Sequence, residues 1–343
     1  MAELVWPGKS RESGRARTAP GRVPVCITDE VHGELRGQAV GHPPNRLILG
    51  DAARALHSLS GEFRGRVPLI YIDPPFDTGS DFAFQASIHD AAGDATRAQV
   101  HAYRDQRGQN RWLAWFSGVA ARLHDLLEDG GSLYVHLDAH MSHYAKVLLD
   151  GVFGANAFQR EIVWRIGWIS GYKSRSRGWI RNHDTLLFYA KGGRPRTFHK
   201  EYVPYPPGYL RRDGKAPSGQ GLPIDDVWNG SALDRMDSIQ IVSFSGEKVG
   251  YPTQKNEALV ARIVRASSNP GDVVLDCFVG SGTTAVVSEK LGRRWIACDS
   301  SPVAIHATRA RLLTLPRVNA LAVQRVASTS RSSRNANEAS FSR

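Results

Sequence analysis

Two short apolar runs, each followed at once by a loop rich in functional groups, most strongly limit what this chain can fold into. The run VPLIYI at 67–72 ends at the tetrapeptide DPPF at 73–76, and the run VVLD at 273–276 ends at a glycine loop at 277–282. Apolar runs without polar alternation are typical of parallel strands that are buried on both faces. Because open α/β sheets bind ligands beyond the carboxyl ends of such strands, both loops are candidate functional sites.

Helical and strand patterns alternate around these runs. Apolar residues recur at three- and four-residue spacing over 113–127, which predicts an amphipathic helix, and SLYVHL at 132–137 predicts another buried strand. After the glycine loop, the pattern predicts a helix over 283–291, a strand over 295–298 and a helix over 302–313. The alternation predicts an α/β fold with a mainly parallel sheet.

Composition narrows the class of protein. The chain has 343 residues and carries a net charge of +11, and its 41% hydrophobic and 22% charged residues are the composition of an ordinary globular protein. No apolar run approaches the ~18 residues of a membrane span, and no signal-like block occurs in 1–25, so we expect a cytoplasmic protein. The cysteines form no CxxC pair, and His136, His140 and His143 lack matching acids, so no metal site is expected.

The positive charge is concentrated in one segment. Residues 160–215 contain 13 basic and 4 acidic residues, together with 10 of the 30 aromatic residues. A solvated charged face is one interpretation, but interleaved basic and aromatic side chains are also typical of nucleic-acid binding. The candidate nucleic-acid contacts are Lys173, Arg175, Arg177, Arg181, Arg194 and Arg196.

The DPPF tetrapeptide has the composition of a binding loop for a planar amine. Pro74 and Pro75 remove two backbone donors and fix two φ angles, which leaves a stiff loop rich in carbonyl acceptors. Asp73 and a proline carbonyl can accept both hydrogens of an exocyclic base amine, while Phe76 can stack on a base swung out of a duplex. A proline strand terminator with a capping aspartate is the alternative interpretation.

The glycine loop suits a nucleotide-containing cofactor. Gly280 and Gly282 allow a ligand to approach the main chain, and Asp299 ends the next strand, where a carboxylate can accept both ribose hydroxyls. With Ala285 in third place, the loop also fits the loose dinucleotide pattern, so a nicotinamide-dependent oxidoreductase is an alternative. That alternative leaves the DPPF loop unexplained.

Taken together, these motifs resemble those of the amino-group DNA methyltransferases that use S-adenosylmethionine, in the permuted arrangement called the β class. The catalytic motif comes first, and the cofactor loop follows about 205 residues later, with the recognition region between them. The resemblance covers most of residues 45–315. It is carried by LILGD at 47–51, DPPFDTG at 73–79, NHDTLLFY at 182–189, YPTQK at 251–255 and DCFVGSGTT at 276–284.

The resemblance implies a Rossmann-like methyltransferase fold and assigns roles to single residues. Asp73, Pro74, Pro75 and Phe76 would form the catalytic loop, in which the aspartate and the first proline carbonyl hold the target amine and the ring stacks on the base. The cofactor contacts would be Asp51, Thr253, Gln254, Lys255, Asp276, Phe278, Gly280, Gly282 and Asp299. Of these, Asp51 would lie near the adenine, Asp276 near the methionine amino group and Lys255 near the methionine carboxylate. Family members commonly have Tyr at Phe76 and Pro at Asn256, so the chain departs from the pattern twice.

The implied organisation has five parts. They are a mostly flexible extension (1–44), a catalytic half (45–159), a basic target-recognition insert (160–250), a cofactor half (251–315) and a flexible basic tail (316–343). Asp at the head of the tetrapeptide favours adenine N6 as the target over cytosine N4. Double-stranded DNA is the expected partner, and a homodimer and a companion restriction endonuclease are compatible with the resemblance. RNA or protein methylation and non-catalytic DNA binding are the remaining alternatives.

Overall fold

The computed structural model describes residues 24–32, 44–76, 80–89, 95–105, 107–166, 175, 177–193, 195–230, 234 and 247–327. Two of the expected DNA contacts, Lys173 and Arg194, lie outside these ranges. Among the helices of the described ranges, none is both long enough and apolar enough to cross a membrane.

The described residues contain fourteen strands and six α-helices. The strands are β1 (Cys26–His32), β2 (Asn45–Leu49), β3 (Val67–Ile72), β4 (Ser80–His89), β5 (Ala95–Asp105), β6 (Leu127–Leu137), β7 (Phe158–Arg165), β8 (His183–Ala190), β9 (Tyr202–Val203), β10 (Leu222–Pro223), β11 (Val227–Trp228), β12 (Val273–Asp276), β13 (Arg294–Asp299) and β14 (Leu321–Val326). The helices are α1 (Ala52–Phe63), α2 (Gln109–Leu126), α3 (Ser142–Phe153), α4 (Glu257–Ser267), α5 (Thr283–Lys290) and α6 (Pro302–Leu313).

Ten of the described strands form one sheet, in the order β1-β14-β2-β13-β12-β3-β6-β8-β7-β11. The five neighbouring pairs from β14 to β6 are all parallel, whereas β8 is antiparallel to both β6 and β7. The expected α/β fold with a mainly parallel sheet is therefore confirmed.

Helices cover both faces of the sheet, which explains the unbroken apolar run of β3. Ile70 and Ile72 pack with the first three helices, whereas Leu69 and Tyr71 point to the opposite face and pack with α4. The helices α5 and α6 cover the neighbouring part of that opposite face. Since successive strand residues alternate between the faces, every position of β3 needs an apolar or well-bonded side chain.

Two helix starts are capped by side chains named above. Asp51 accepts a hydrogen bond from the Arg54 backbone N–H at 3.3 Å and begins α1. Asn256 accepts one from the Leu259 backbone N–H at 2.7 Å and begins α4. Asparagine and aspartate are favoured caps, so the departure at Asn256 has a structural purpose in this chain.

Residues 1–44 and 316–343 were expected to be flexible extensions, and this expectation is wrong for one segment of each. Residues 321–326 form β14, which lies inside the sheet between β1 and β2, and Leu321 is fully buried. Cys26–His32, within the expected N-terminal extension, pairs antiparallel with β14 as β1. The surrounding Ser- and Arg-rich composition concealed a six-residue strand whose pairing partners are distant in sequence.

The boundary expected at residue 160 is also wrong, because it cuts through β7. Both β7 and β8 belong to the central sheet, and Leu186 and Leu187 of β8 are buried in its two faces. The basic segment is therefore not a separate insert, because two strands of the central sheet run through it. Arg160 and Arg165 lie on β7 itself, whereas Arg175, Arg177 and Arg181 precede β8 and Arg196 follows it.

Candidate active site

The two motif loops meet because their strands are neighbours. β12 pairs with β3 in parallel, with Leu275 opposite Ile70, so the loops that follow both strands leave the same edge of the sheet. The sequence separation of about two hundred residues thus becomes a separation of one strand, about 4.8 Å.

A cleft of about 830 Å³, including its open mouth, lies at this edge. Of the nine candidate cofactor contacts, seven line this cleft. The expected residues on its walls are Asp51, Asp73, Pro75, Thr253, Lys255, Asp276, Phe278, Gly280 and Asp299. The structure therefore brings the DPPF loop and the glycine loop to a single cleft.

Asp73 has one engaged and one unengaged oxygen. Its Oδ2 accepts a hydrogen bond from Lys255 Nζ at 2.5 Å, and this ion pair is largely shielded from water. Its Oδ1 is buried and has no hydrogen-bond partner in the described part of the molecule. Because a buried acceptor without a partner is costly, this oxygen is prepared to receive a donor that enters the cleft.

The DPPF loop is anchored by a hydrogen bond to a helix. The Pro75 carbonyl accepts a hydrogen bond from Trp112 Nε1 at 2.6 Å, which ties the loop to α2. Pro74 is buried, and Phe76 is half-buried, with Lys255 Nζ 5.3 Å from its ring centroid. Lys255 thus contacts both the carboxylate and the aromatic ring of the tetrapeptide.

Two aspartates, Asp276 and Asp299, accept hydrogen bonds from the backbone of the glycine loop. Gly280 has φ +50°, and its backbone N–H donates to Asp299 Oδ2 at 3.0 Å. The Asp276 carboxylate accepts hydrogen bonds from the Phe278 backbone N–H at 2.9 Å and from Thr284 Oγ1 at 2.6 Å. A Cβ at residue 280 would lie 3.3 Å from the Tyr251 ring, so glycine keeps this part of the cleft clear.

Both aspartates are harder to ionise than usual. Burial raises the pKa of Asp276 to about 7, although the hydrogen bonds from Thr284 and Phe278 oppose the shift. Burial likewise raises the pKa of Asp299 to about 6, opposed by backbone donors of the glycine loop and of the following turn. A cationic or hydrogen-bond-donating ligand would favour the charged form of each carboxylate.

Two of the expected cofactor contacts, Gly282 and Gln254, have contacts that shape the fold. Gly282 has φ +85°, and a Cβ there would lie 2.9 Å from the Thr308 Cα, so this glycine allows the loop to pack on α6. The Gln254 side chain accepts from the Val249 backbone N–H and donates to the Glu247 carbonyl, which fixes the preceding loop. Neither residue is among those that line the cleft.

The cleft also contains residues that sequence reasoning missed. Trp115 lies on its wall with the Arg107 guanidinium 4.5 Å above its ring, and the Phe278 ring is 5.5 Å away. Trp115 lies outside the buried apolar face of α2 that contains Trp112. The helical spacing in the sequence could have shown this, but it could not have shown that the Trp115 ring faces the cleft.

The basic candidates divide into two groups. Arg175 and Arg177 are exposed on the loop before β8, and Arg181 pairs with Asp184 and lies 3.9 Å from Asp138. Arg196 follows the other end of β8, where it donates to Gln159 Oε1. The eight residues of β8 span about 25 Å, so the structure does not bring Arg196 to the cleft edge.

Two of the three histidines considered as metal ligands, His136 and His140, are engaged in hydrogen bonds. His136 is fully buried, with Nδ1 3.0 Å from Tyr71 Oη and Nε2 3.3 Å from Asp184 Oδ2. Burial opposes ionisation of Asp184, but the bond to His136 and the charges of His136, Lys255 and Arg181 lower its pKa well below the usual range. His140 Nδ1 lies 2.7 Å from the buried Asp138 carboxylate.

Comparison with known proteins identifies similar sequences over the same region. A sequence model of the N6/N4 family described as "DNA methylase" matches residues 67–309. The chain is 35% identical over 189 residues to the type II methyltransferase M1.MboII of Moraxella bovis, with coverage of 51% of this chain and 69% of that protein. It is 26% identical over 277 residues to the DNA adenine methyltransferase YhdJ of Escherichia coli, with coverage of 76% and 79%.

The crystal structure of an M1.HpyAVI–SAM complex aligns with a TM-score of 0.47 at 22% identity, and the alignment covers 79% of this chain and 99% of that one.

Proposed function

The chain belongs to the N6/N4 DNA methylase family, and we propose that it transfers a methyl group from S-adenosylmethionine to adenine N6 at specific sites in double-stranded DNA. The family model covers more than two thirds of the chain, 67–309, which confirms the resemblance seen in the motifs. The observation that carries the proposal is the buried, unpartnered Oδ1 of Asp73 in the cleft that also contains the glycine loop.

The walls of the cleft fit the proposed cofactor. Gly280 leaves room for close approach to the main chain, Asp299 offers acceptors for ribose hydroxyls, and Asp276 offers a carboxylate for an ammonium group. Phe278 and Trp115 supply aromatic surface for an adenine ring. S-adenosylmethionine, when bound, supplies a methyl group that is strongly electrophilic because it is attached to a sulfonium.

The residues of the chain would position the amine rather than react with it covalently. Asp73 Oδ1 would accept one hydrogen of the target amine, which aligns the nitrogen lone pair and stabilises the positive charge that develops on it. The Lys255 ammonium on Oδ2 would hold the carboxylate in a fixed orientation. Phe76 would hold the flipped base by stacking.

Adenine is favoured over cytosine as the target base. The tetrapeptide begins with aspartate, which in this family is more typical of adenine N6 enzymes, and YhdJ, a relative along most of its length, is named a DNA adenine methyltransferase. The cytosine N4 alternative is not favoured.

Incubation with duplex DNA and methyl-labelled S-adenosylmethionine, followed by digestion to nucleosides, tests this function. We expect the label in N6-methyladenine. Label in N4-methylcytosine would redirect the assignment, and absence of label from both bases would refute it. Competition with unlabelled RNA and protein separates the alternative substrates, and Asp73→Asn protein controls for contaminating enzymes.

The cellular setting is part of the proposal. A companion restriction endonuclease and a homodimer both fit a type II modification enzyme, and sedimentation with and without DNA tests the dimer. The buried thiols Cys277 and Cys298 agree with the cytoplasm, where cysteines stay reduced.

A further inference from the structure

Trp179 is the largest apolar side chain that the described part of the chain leaves fully exposed to water. Tryptophan is highly buried on average, so a fully solvated indole contributes little to the packing of the residues that the structure describes. Trp179 belongs to the loop between β7 and β8, one of the connections that carry the positive charge.

The loop of Trp179 leaves the same edge of the sheet as the catalytic loop. Ile72 pairs with Val135, and Val135 pairs with Leu187, so β8 begins at the edge where β3 ends. Since β3 and β8 are separated by one strand, the two loops start about 10 Å apart.

The stem of this loop is fixed although its tip is in solvent. Arg181, two residues after Trp179, pairs with Asp184 and lies 3.9 Å from Asp138, whose side chain is fully buried. The Ile166 backbone N–H donates to the Asn182 carbonyl at 2.9 Å and closes the neck. The indole is therefore within about 7 Å of chain from an anchored residue.

The surroundings of the indole have the charge that a DNA backbone requires. Arg175 and Arg177 are exposed on the same loop, and no acidic residue occurs between Arg165 and His183. The Asp73 oxygen lies inside a cleft, so a base must leave its duplex to reach it. An apolar side chain inserted between base steps offsets the stacking that is lost when a base leaves.

On the basis of the function proposed above, we propose that Trp179 inserts into the duplex at the target base pair and fills the space left by the flipped base. Arg175 and Arg177, on the same loop, hold the neighbouring phosphates. Trp179 would thus be a positioning residue that lowers the cost of opening the pair, and it would take no part in methyl transfer itself.

The test compares two substrates that carry the mapped recognition site, one with a normal target pair and one with an abasic site opposite the target. Methyl transfer by wild type, Trp179→Ala, Trp179→Phe and Arg177→Ala proteins is measured on both. Fluorescence of 2-aminopurine at the target position reports flipping without turnover. Because Trp179 is fully exposed, its replacement leaves the thermal unfolding midpoint unchanged.

We expect Trp179→Ala to lose at least 10-fold in kcat/KM on the paired substrate, to stay within 3-fold of wild type on the abasic substrate, and to lose the 2-aminopurine signal. Trp179→Phe should retain most activity on both, and Arg177→Ala should weaken both equally. Equal loss by Trp179→Ala on both substrates, or no loss on either, would overturn the insertion role. If wild type protein methylates neither substrate, the proposed function fails and this role fails with it.

Discussion

Asp73 is the residue on which the proposed chemistry depends most. Replacing it with Asn keeps the size of the side chain but removes its charge and one acceptor, so the target amine would lose its main partner. We expect methyl transfer to fall by about 100-fold or more, as when a single charge-stabilising group is removed from other enzymes. Single-turnover assays measure the rate, and equilibrium titration measures cofactor affinity, which should stay within a few fold.

Asp150→Asn is the matched control for this variant. Asp150 also pairs with a lysine, Lys146 at 2.7 Å, but it lies on α3 and is not among the residues that line the cleft. Full activity of Asp73→Asn, or an equal loss in both variants, would contradict the role of Asp73.

The raised pKa values of Asp276 and Asp299 make cofactor affinity dependent on pH. Both carboxyls are protonated below their pKa values of about 7 and about 6, and a protonated carboxyl is a poor acceptor for a ribose hydroxyl and a poor partner for an ammonium group. Affinity should therefore rise between pH 5.5 and pH 7.5. Asp299 alone should raise the affinity roughly 4-fold over this range, because about a quarter of its carboxyl groups are ionised at pH 5.5 and nearly all are ionised at pH 7.5.

Calorimetric titration in buffers with different ionisation enthalpies measures both the affinity and the protons released on binding. Asp299→Asn should bind more weakly at pH 7.5 and should show a flatter pH profile. A wild type profile that is flat over this range would mean that neither carboxyl contacts the cofactor.

At the scale of elements, the strand β14 decides where the chain can be shortened. A protein that ends at residue 315 lacks β14, so β1 loses its partner and the edge of β2 is exposed. Leu321 and Ala322 are buried, and their removal costs several kcal/mol. We expect a lowered thermal midpoint or insoluble protein. A chain that ends at 327 keeps β14 and should match the full-length midpoint; similar behaviour of both truncations would contradict the pairing.

The same strand shows where sequence reasoning reaches its limit. The apolar run of β3 and the loop after β12 could be predicted because local composition determines them, and the glycine loop lies where the pattern places it. The ion pair of Lys255 and Asp73 joins residues 182 positions apart, and β14 lies between strands near the opposite end of the chain. Such contacts depend on long-range pairing, which no local pattern records.

At the scale of the whole molecule, charge is distributed unevenly. Residues 160–215 carry +9, and residues 1–25 and 316–343 carry +3 and +4, which leaves −5 for the remainder. Strand β8 separates the basic residues of this segment into two groups. Arg175, Arg177 and Arg181 precede the strand, and Arg196 follows it. Only the first group lies at the edge that contains the cleft, so the two groups should differ in their contribution to DNA binding.

Salt dependence of DNA affinity measures this difference. Each phosphate contact contributes a slope of about −0.9 to the logarithm of affinity against the logarithm of salt concentration. The double variant Arg175→Ala/Arg177→Ala should therefore lower the slope by about 2, whereas Arg196→Ala should leave it unchanged. Anisotropy titrations from 50 to 300 mM salt provide the slopes. If Arg196→Ala lowered the slope equally, the DNA would have to reach the opposite edge of the sheet. The duplex would then contact basic residues at both ends of β8.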